Sequence, residues 1–478
     1  MNEAGQGAIE PARGVVAAWL LAIAPAAMLA VLLLNPVWDV DIFWQLKLGE
    51  LILARGGPVM QEPFSATHFG QPMPTFAWLG QAVMAQVRLT TGWTGLRIFD
   101  ALCWLGGFLL VAAACRRRSG SAGAVLLALA IAFFAVLPLA SIRPQSFAVL
   151  CFGALLASLR TGFKPWGMTV LAVPLFLVWQ NLHPSVSIAA VTLATVAAIG
   201  WWRCLRSGEA APWELTVLAL LAGLAMFATP DGWHILGASA ANAAASAAMN
   251  VNEWLPLWHP MNRFGAVHLL LIAVMATWIV LRNPQRTEAG ELAVAIVFFG
   301  MTLFASRFAL FWAVTLIPVI ARAVPPPAAE RRTPAWLSPL ALIAVAAIVP
   351  ILRPTHFDEK IPLAAIEKLR TSRVKGTIFA HFPWGGPAID VGSPEWRVAY
   401  DGRYYRYTPE EWARYRAIGD GAVGLDEVER LYRPAGFVLS PEWNGRLITE
   451  LRAQPQRWRL LSADRVAVVF QRKSGATP

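Results

Sequence analysis

The chain has 478 residues, 57% of them apolar and only 14% charged, with a formal net charge of +11. Soluble chains are about half apolar, so this composition excludes a wholly water-soluble protein. The charges are also uneven: residues 353–478 hold 20 Lys/Arg and 15 Asp/Glu, and the first 352 residues hold only 20 and 14.

The first part therefore reads as membrane and the second as an ordinary soluble domain. A helix needs about 20 predominantly apolar residues to cross the hydrocarbon core. Candidate spans are 14–34, 96–115, 121–140, 145–160, 166–180, 185–202, 213–229, 264–282, 290–305, 307–323 and 336–352, about eleven in all. Ala24-Pro25-Ala26 resembles a signal-peptide cleavage site. The run around it is long enough to span, and further spans follow, so it reads as an uncleaved first helix.

With a cytoplasmic N-terminus, the inner turns are Arg116-Arg117-Arg118, Arg160/Lys164, Arg203/Arg206, Arg282/Arg286 and Arg322/Arg331/Arg332. The short outer turns carry only Arg143, Arg263 and Arg307. This segregation follows the positive-inside rule and accounts for the basic excess without a nucleic-acid partner. An odd number of spans then puts the C-terminal domain outside. The four cysteines, Cys103, Cys115, Cys151 and Cys204, lie in or beside apolar segments and match no disulfide or zinc spacing.

Two outer segments are long. The first, from Asn35 to about Gly95, contains Asp41-Ile-Phe-Trp-Gln-Leu-Lys-Leu-Gly-Glu-Leu-Ile-Leu, whose mixed pattern suits an interfacial helix, and a second such stretch at 76–89. The other, residues 230–263, carries Asp231, Glu253, Trp254 and His259. In the soluble domain, helical patterns at 359–371, 408–418, 424–433 and 444–453 alternate with strand-like runs at 377–380, 397–401, 436–440, 458–462 and 465–471. The expected fold is an α-helical polytopic membrane domain, 1–352, with the outer loop 35–95. A small α/β domain on the outer face follows, 353–478.

Asp39 and Asp41 follow the first span directly, among aromatics. A partly desolvated carboxylate there can serve as a base toward a hydroxyl or amine, or hold a divalent cation such as Mg²⁺ or Mn²⁺. The structural alternative is that Asp41 caps a helix beginning at Ile42. Arg143 and Arg307 sit at outer helix ends, where a guanidinium matches a lipid-linked phosphate bidentately. Snorkelling to headgroups is the competing reading, stronger for Arg143 than for Arg307, which lies between two apolar runs.

The stretch from Asp39 to Leu53, followed by Gly57-Pro58, Glu62-Pro63-Phe64-Ser65 and Trp78-Leu79, resembles the first outer loop of bacterial GT-C-type membrane glycosyltransferases. These include relatives of protein mannosyltransferases and aminoarabinose transferases. Shorter matches are Arg143-Pro144, Trp179-Gln180-Asn181-Leu182-His183, Glu253-Trp254, Ser306-Arg307, Trp384-Gly385-Gly386 and Asp401-Gly402-Arg403. The chain departs from the family at Gln45, where His is expected, and at Pro184.

The resemblance implies inverting transfer of a hexose or pentose from a polyprenyl-phosphate donor to a glycan, lipid or protein acceptor, on the outer face of a bacterial inner membrane. It implies Asp41, then Asp39, as base or metal ligand. It also implies Arg307 and Arg143 at the donor phosphate, and His183, Asn181, Glu253, Trp254, Asp401 and Arg403 around the substrate. Rival readings are a transporter or flippase of a lipid-linked precursor, and a non-catalytic scaffold. No paired discontinuous helices favour the transporter.

Overall fold

The computed structural model of the chain describes residues 4–118, 120–162, 166–326, 333–334 and 336–473. Lys164, Arg331 and Arg332, counted above as inner charges, lie outside the described residues. In chain order the first helices are α1 (Ala4–Leu34), α2 (Asp41–Arg55), α3 (Trp78–Arg117), α4 (Ala122–Val136), α5 (Gln145–Thr161) and α6 (Gly167–Leu182). Next come α7 (Ser187–Ser207), α8 (Trp213–Ala225), α9 (His234–Ala248), α10 (Arg263–Arg282), α11 (Ala289–Phe304), α12 (Ala309–Ala323) and α13 (Leu337–Leu352). α3 breaks at Gly92, whose φ of 68° leaves helical geometry.

Each of the apolar segments read as a span is helical. Among the described residues six helices are long and apolar enough to cross a membrane, and five apolar helices are shorter. The protein is a polytopic membrane protein.

The chain forms two compact units. The first comprises Met1–Asn35, Thr91–Trp233 and Asn250–Thr355. Its centre is α12, on which Leu310, Phe311, Val314, Ile317 and Ile320 are all buried. A helix apolar all round belongs inside a bundle, and α12 packs on α4, α5, α10 and α11.

The second unit comprises Pro36–Thr90, His234–Met249 and His356–Pro478. The first outer segment, assigned from sequence to the membrane domain, is thus built into the same unit as the C-terminal α/β region. That region contains α14 (Leu363–Thr371), β1 (Gly376–Ala380), α15 (Gly385–Gly392), β2 (Trp396–Val398), α16 (Pro409–Gly419), α17 (Leu425–Tyr432), β3 (Pro434–Leu439), α18 (Gly445–Arg452), β4 (Trp458–Ala463) and β5 (Val468–Arg472). The strands follow the order β2-β1-β3-β5-β4. β1 runs parallel to both β2 and β3, and β5 is antiparallel to β3 and β4.

Side chains alternate across a strand, and the two faces have different neighbours. Ile378, Ala380, Val438 and Val469 pack with Ile366, Ile389, Trp44, Leu48 and Ile52. Phe379, Phe437, Leu439 and Phe470 pack with Trp412, Ile418, Val428 and Leu451. α2 thus buries its Trp44–Leu48–Ile52 face against a sheet layer.

Two helices run against expectation. α15 begins Gly385-Gly386-Pro387, residues that signal a break, yet Pro is tolerated in a first helical turn. α9 is an Ala-rich stretch inside the outer segment 230–263. Ala has the highest helix propensity, which periodicity alone does not register.

Candidate functional site

In the second unit, Asp39 and Asp41 divide the roles expected of one residue. Val40 precedes α2 in helical conformation and its side chain makes no cap. Asp39 Oδ1 accepts the Asp41 backbone N–H at 2.9 Å, so Asp39 satisfies a donor at the helix start. The expectation that Asp41 caps the helix is corrected: it stands in the first turn, where its charge suits the helix dipole. Its Oδ1 accepts the Trp44 indole N–H at 3.2 Å. Asp39 is buried and Asp41 half-buried.

Two glycines bring three short motifs together around this turn. A Cβ on Gly402 would lie 2.4 Å from Asp41 Oδ1, and one on Gly386 would lie 2.5 Å from the Val40 carbonyl oxygen. Any side chain at either position would displace the start of α2.

Behind Gly402 lies an ion-pair network. Arg403 Nε and Nη2 donate to the two Asp401 oxygens at 2.9 and 2.7 Å. Arg403 Nη1 and Nη2 donate to Glu62 at 2.7 and 3.0 Å. Tyr407 donates to Asp401 Oδ2 at 3.1 Å, and Glu62 Oε1 accepts the amides of Phe64 and Ser65 at 2.7 and 2.9 Å. All three charged side chains are fully buried. Burial alone would raise the Asp401 pKa, but Arg403 outweighs it and holds the carboxylate below its usual range.

Asp401 and Arg403 were expected to line the substrate cavity. Their charged atoms are committed to one another and to Glu62, which suits them to hold the Gly402 turn rather than to meet a substrate. Glu62 is the residue this network adds. Its sequence signal was the Glu62-Pro63-Phe64-Ser65 match, which carried no assigned role.

Asp39 and Asp41 are the two carboxylates at the start of α2. Among the described residues no group of three or more His, Cys, Asp or Glu is arranged to hold a metal ion. Mg²⁺ is commonly held by one or two carboxylates with substrate phosphate and water, so the pair fits such an ion only with substrate oxygens added.

The first unit carries a second cluster, at helix ends. Arg143 precedes α5, Arg307 precedes α12, and His183 ends α6. Arg143 Nη1 pairs with Glu253 at 3.4 Å. The Arg307 guanidinium carbon lies 4.0 Å from the Trp254 ring centroid, a cation–π contact. Among the described residues no carboxylate comes within ion-pair distance of Arg307.

Burial opposes ionisation of Glu253, but Arg143 and Arg307 prevail and lower its pKa. Burial, reinforced by Arg307 and Arg143, pushes His183 down to about 3, so its ring is neutral. His183 Nδ1 lies 2.8 Å from Ser185 Oγ, which accepts the Trp179 indole N–H at 2.9 Å. Asn181 behaves differently: its amide donates to the carbonyls of Leu177 and Ala228 at 2.9 and 2.7 Å, bracing the backbone. Asn262, which the sequence reading did not single out, ties the 252–256 loop through the carbonyls of Asn252, Leu255 and Pro256.

At their far ends α5 and α12 supply Arg160 and Arg322, which share Glu291, the second at 3.1 Å. Arg203 pairs with Glu288 at 3.2 Å. α5 and α12 therefore run the same way, with Arg143 and Arg307 at their starts. The Arg307 guanidinium, with no carboxylate at ion-pair distance among the described residues, thus stands near Arg143 and the neutral His183 ring. Such an arrangement can take an anionic phosphate oxygen on a planar donor fork.

No protein-family model matches the chain, and the comparison with curated proteins gave no match. Solved structures do match its fold. Archaeal oligosaccharyltransferase AglB from Archaeoglobus fulgidus, in complex with an inhibitory peptide and a dolichol-phosphate, matches 96% of this chain and 74% of its own, at TM-score 0.56 and 11% identity. An Archaeoglobus fulgidus oligosaccharyltransferase tethered with an acceptor peptide containing the NVT sequon matches 90% and 71%, at TM-score 0.54 and 13% identity. ArnT from Cupriavidus metallidurans bound to undecaprenyl phosphate matches 96% and 99% at TM-score 0.43 and 14% identity. The chain is similar in fold to the archaeal enzyme, a polytopic GT-C glycosyltransferase.

Proposed function

We propose that a chain with this fold transfers a sugar from a polyprenyl-phosphate donor to an acceptor, with inversion, on the outer face of a bacterial inner membrane. The observation that carries the reading is the Arg307 guanidinium, stacked on Trp254 with no carboxylate at ion-pair distance among the described residues. A charge kept at a helix end without its own counter-ion is expensive unless it serves a ligand. The archaeal structure supports the choice of ligand, because it holds a dolichol-phosphate.

In the proposed reaction the acceptor oxygen or nitrogen attacks the anomeric carbon and Asp41 accepts its proton. The bond from that carbon to the phosphate oxygen breaks, and polyprenyl phosphate departs with added negative charge. Arg307 and Arg143 stabilise that charge as it builds, the kind of preorganised contribution that dominates many transfers. Neutral His183 contributes no charge and can donate or accept a hydrogen bond. Asp39 fixes the start of α2, and Glu62, Asp401 and Arg403 hold Gly402 against the Asp41 carboxylate. An Mg²⁺ or Mn²⁺ ion, if held, would be held by Asp39 and Asp41 and would supply Lewis acidity.

The test uses the full chain reconstituted in vesicles with undecaprenyl-phosphate sugars and candidate glycan, lipid and peptide acceptors. Phosphorus NMR reads release of undecaprenyl phosphate, which a transferase produces and a flippase does not. Sugar movement across the bilayer without release would overturn the reading.

A further inference from the structure

The carboxyl end of the sheet in the second unit carries a cluster that the transferase reading leaves unused. β1 and β3 are adjacent parallel strands, and their pairing continues past β1 through the His381 amide to the Val438 carbonyl at 2.8 Å. His381 ends one strand and Trp443 follows the other. Trp443 stands on a tight turn: the Ser440 carbonyl accepts its amide at 3.2 Å and that of Asn444 at 2.8 Å, and Asn444 Oδ1 accepts the Ser440 amide at 3.1 Å.

The rings are arranged as a platform with a donor beside it. Trp443 is 55% exposed, while His381, stacked with it at 6.0 Å and 24°, is 8% exposed. Trp384 meets His381 edge-on at 5.0 Å. Tyr415 oxygen accepts the Phe382 amide at 3.1 Å and lies 2.8 Å from His381 Nδ1.

Among the described residues the Tyr415 hydroxyl has no other acceptor, so its single proton goes to Nδ1. Nε2 then carries the ring hydrogen, and no acceptor for it exists among the described residues. Burial pushes the His381 pKa down to about 4, so the ring stays neutral near pH 7. Asn444 Nδ2 is likewise buried without a partner among the described residues.

From this arrangement we propose that the carboxyl end of β1 and β3 binds a neutral pyranose, with Trp443 stacking on one face of the sugar ring and His381 Nε2–H donating to a hydroxyl. Ligands in open parallel sheets favour the carboxyl ends of strands. Apolar walls with a few fixed polar groups are what small-molecule sites present. A sugar ring offers both complements, an apolar C–H face for the indole and hydroxyls for the unpaired donor. A neutral donor gives no preference to an anion, and a lipid chain would leave Nε2–H unanswered. The site goes beyond the transferase reading: it names a carbohydrate subsite that neither Asp41 nor Arg307 requires.

The experiment uses the full chain in nanodiscs with methyl glycosides of glucose, mannose, galactose and N-acetylglucosamine. Saturation-transfer NMR reads the contact, and a competition titration reads the affinity. At least one glycoside should show saturable transfer, strongest at ring C–H protons. Trp443→Ala should weaken it about tenfold or more, which corresponds to about 1.4 kcal/mol. Trp443 is exposed, so this variant keeps its fold, checked by circular dichroism. His381→Phe keeps the aromatic packing but removes the donor, and should weaken binding comparably.

Absence of saturable binding by every glycoside, or equal affinity in both variants and the parent, overturns the proposal. Binding of a neutral peptide in place of any glycoside overturns it as well. Because sugar contact is read without turnover, failure here is distinguishable from failure of the transferase reading.

Discussion

The Asp41 carboxylate rests on the backbone of Gly402, and a methyl group built there would lie 2.4 Å from Oδ1. Gly402→Ala should therefore move the carboxylate and little else. Transfer is expected to fall about a hundred-fold, the low end for losing a general base. The accompanying overpacking should cost about 1–3 kcal/mol. Parental turnover in the alanine variant, with thermal unfolding measured alongside, would show that Asp41 placement does not matter.

Asp41 and Asp39 should separate by chemistry. Asp41→Asn retains an acceptor for the Trp44 indole but cannot take a proton, so it should insert and bind donor normally while transferring about a hundred-fold or more slowly. Asp39→Asn should be nearly silent, and Asp39→Ala should lose about 1 kcal/mol of stability, because its oxygen satisfies the Asp41 amide. The reverse pattern, with Asp39→Asn abolishing turnover and chelators doing likewise, would point to a cation held by both.

Arg307 should respond to charge and to shape. Arg307→Ala deletes the cation and should weaken donor use most. Arg307→Lys keeps the charge but loses the fork, and should remain impaired. Trp254→Leu, which removes the ring beneath the guanidinium, should impair donor use more mildly. Near-normal turnover in both Arg307 variants would make this residue a headgroup anchor.

The buried network makes acid a structural probe. Asp401 has a folded pKa below its ordinary value of about 4, so its contribution is present above that value and is lost as pH falls through the folded one. Thermal stability should decline below about pH 4, and less steeply in Asp401→Asn. Arg403→Met leaves Asp401 buried without its cation and Glu62 with only Arg406, at 3.6 Å, and should cost about 3–5 kcal/mol. Indifference of both variants to pH and temperature would mean that Glu62, Asp401 and Arg403 contribute nothing to holding the turn.

Orientation follows from charge. A phosphatase reporter fused after Pro478 should be active outside the cell, and one after Arg118 inactive. Reversed activities would put Asp41 on the cytoplasmic side and remove the proposed chemistry from the outer face.

Local pattern made much of this protein legible. The strand-like run at 436–440 anticipated β3 because Phe437, Val438 and Leu439 form a short apolar run between turn formers, a signal contained within a few positions. The run at 145–160 anticipated α5 because an apolar stretch that long has few other uses. The capping assignment went astray by two residues, since spacing cannot tell which of Asp39 and Asp41 turns back to an amide. What stayed hidden was non-local. Nothing near Glu62 announces an arginine 341 positions away, and nothing near Arg307 announces Trp254. Such pairs exist only once the chain has folded.

That separation has a cost during synthesis. At about 5–20 residues per second, the 341 residues between Glu62 and Arg403 take roughly 17–70 s to translate. Through that interval the ribosome is still delivering most of the helices of the first unit. Residues 36–90 meanwhile lack the sheet layer that buries Trp44, Leu48 and Ile52. The nascent segment must wait with those side chains uncovered, against lipid or a chaperone, until the last quarter of the chain arrives to close over them.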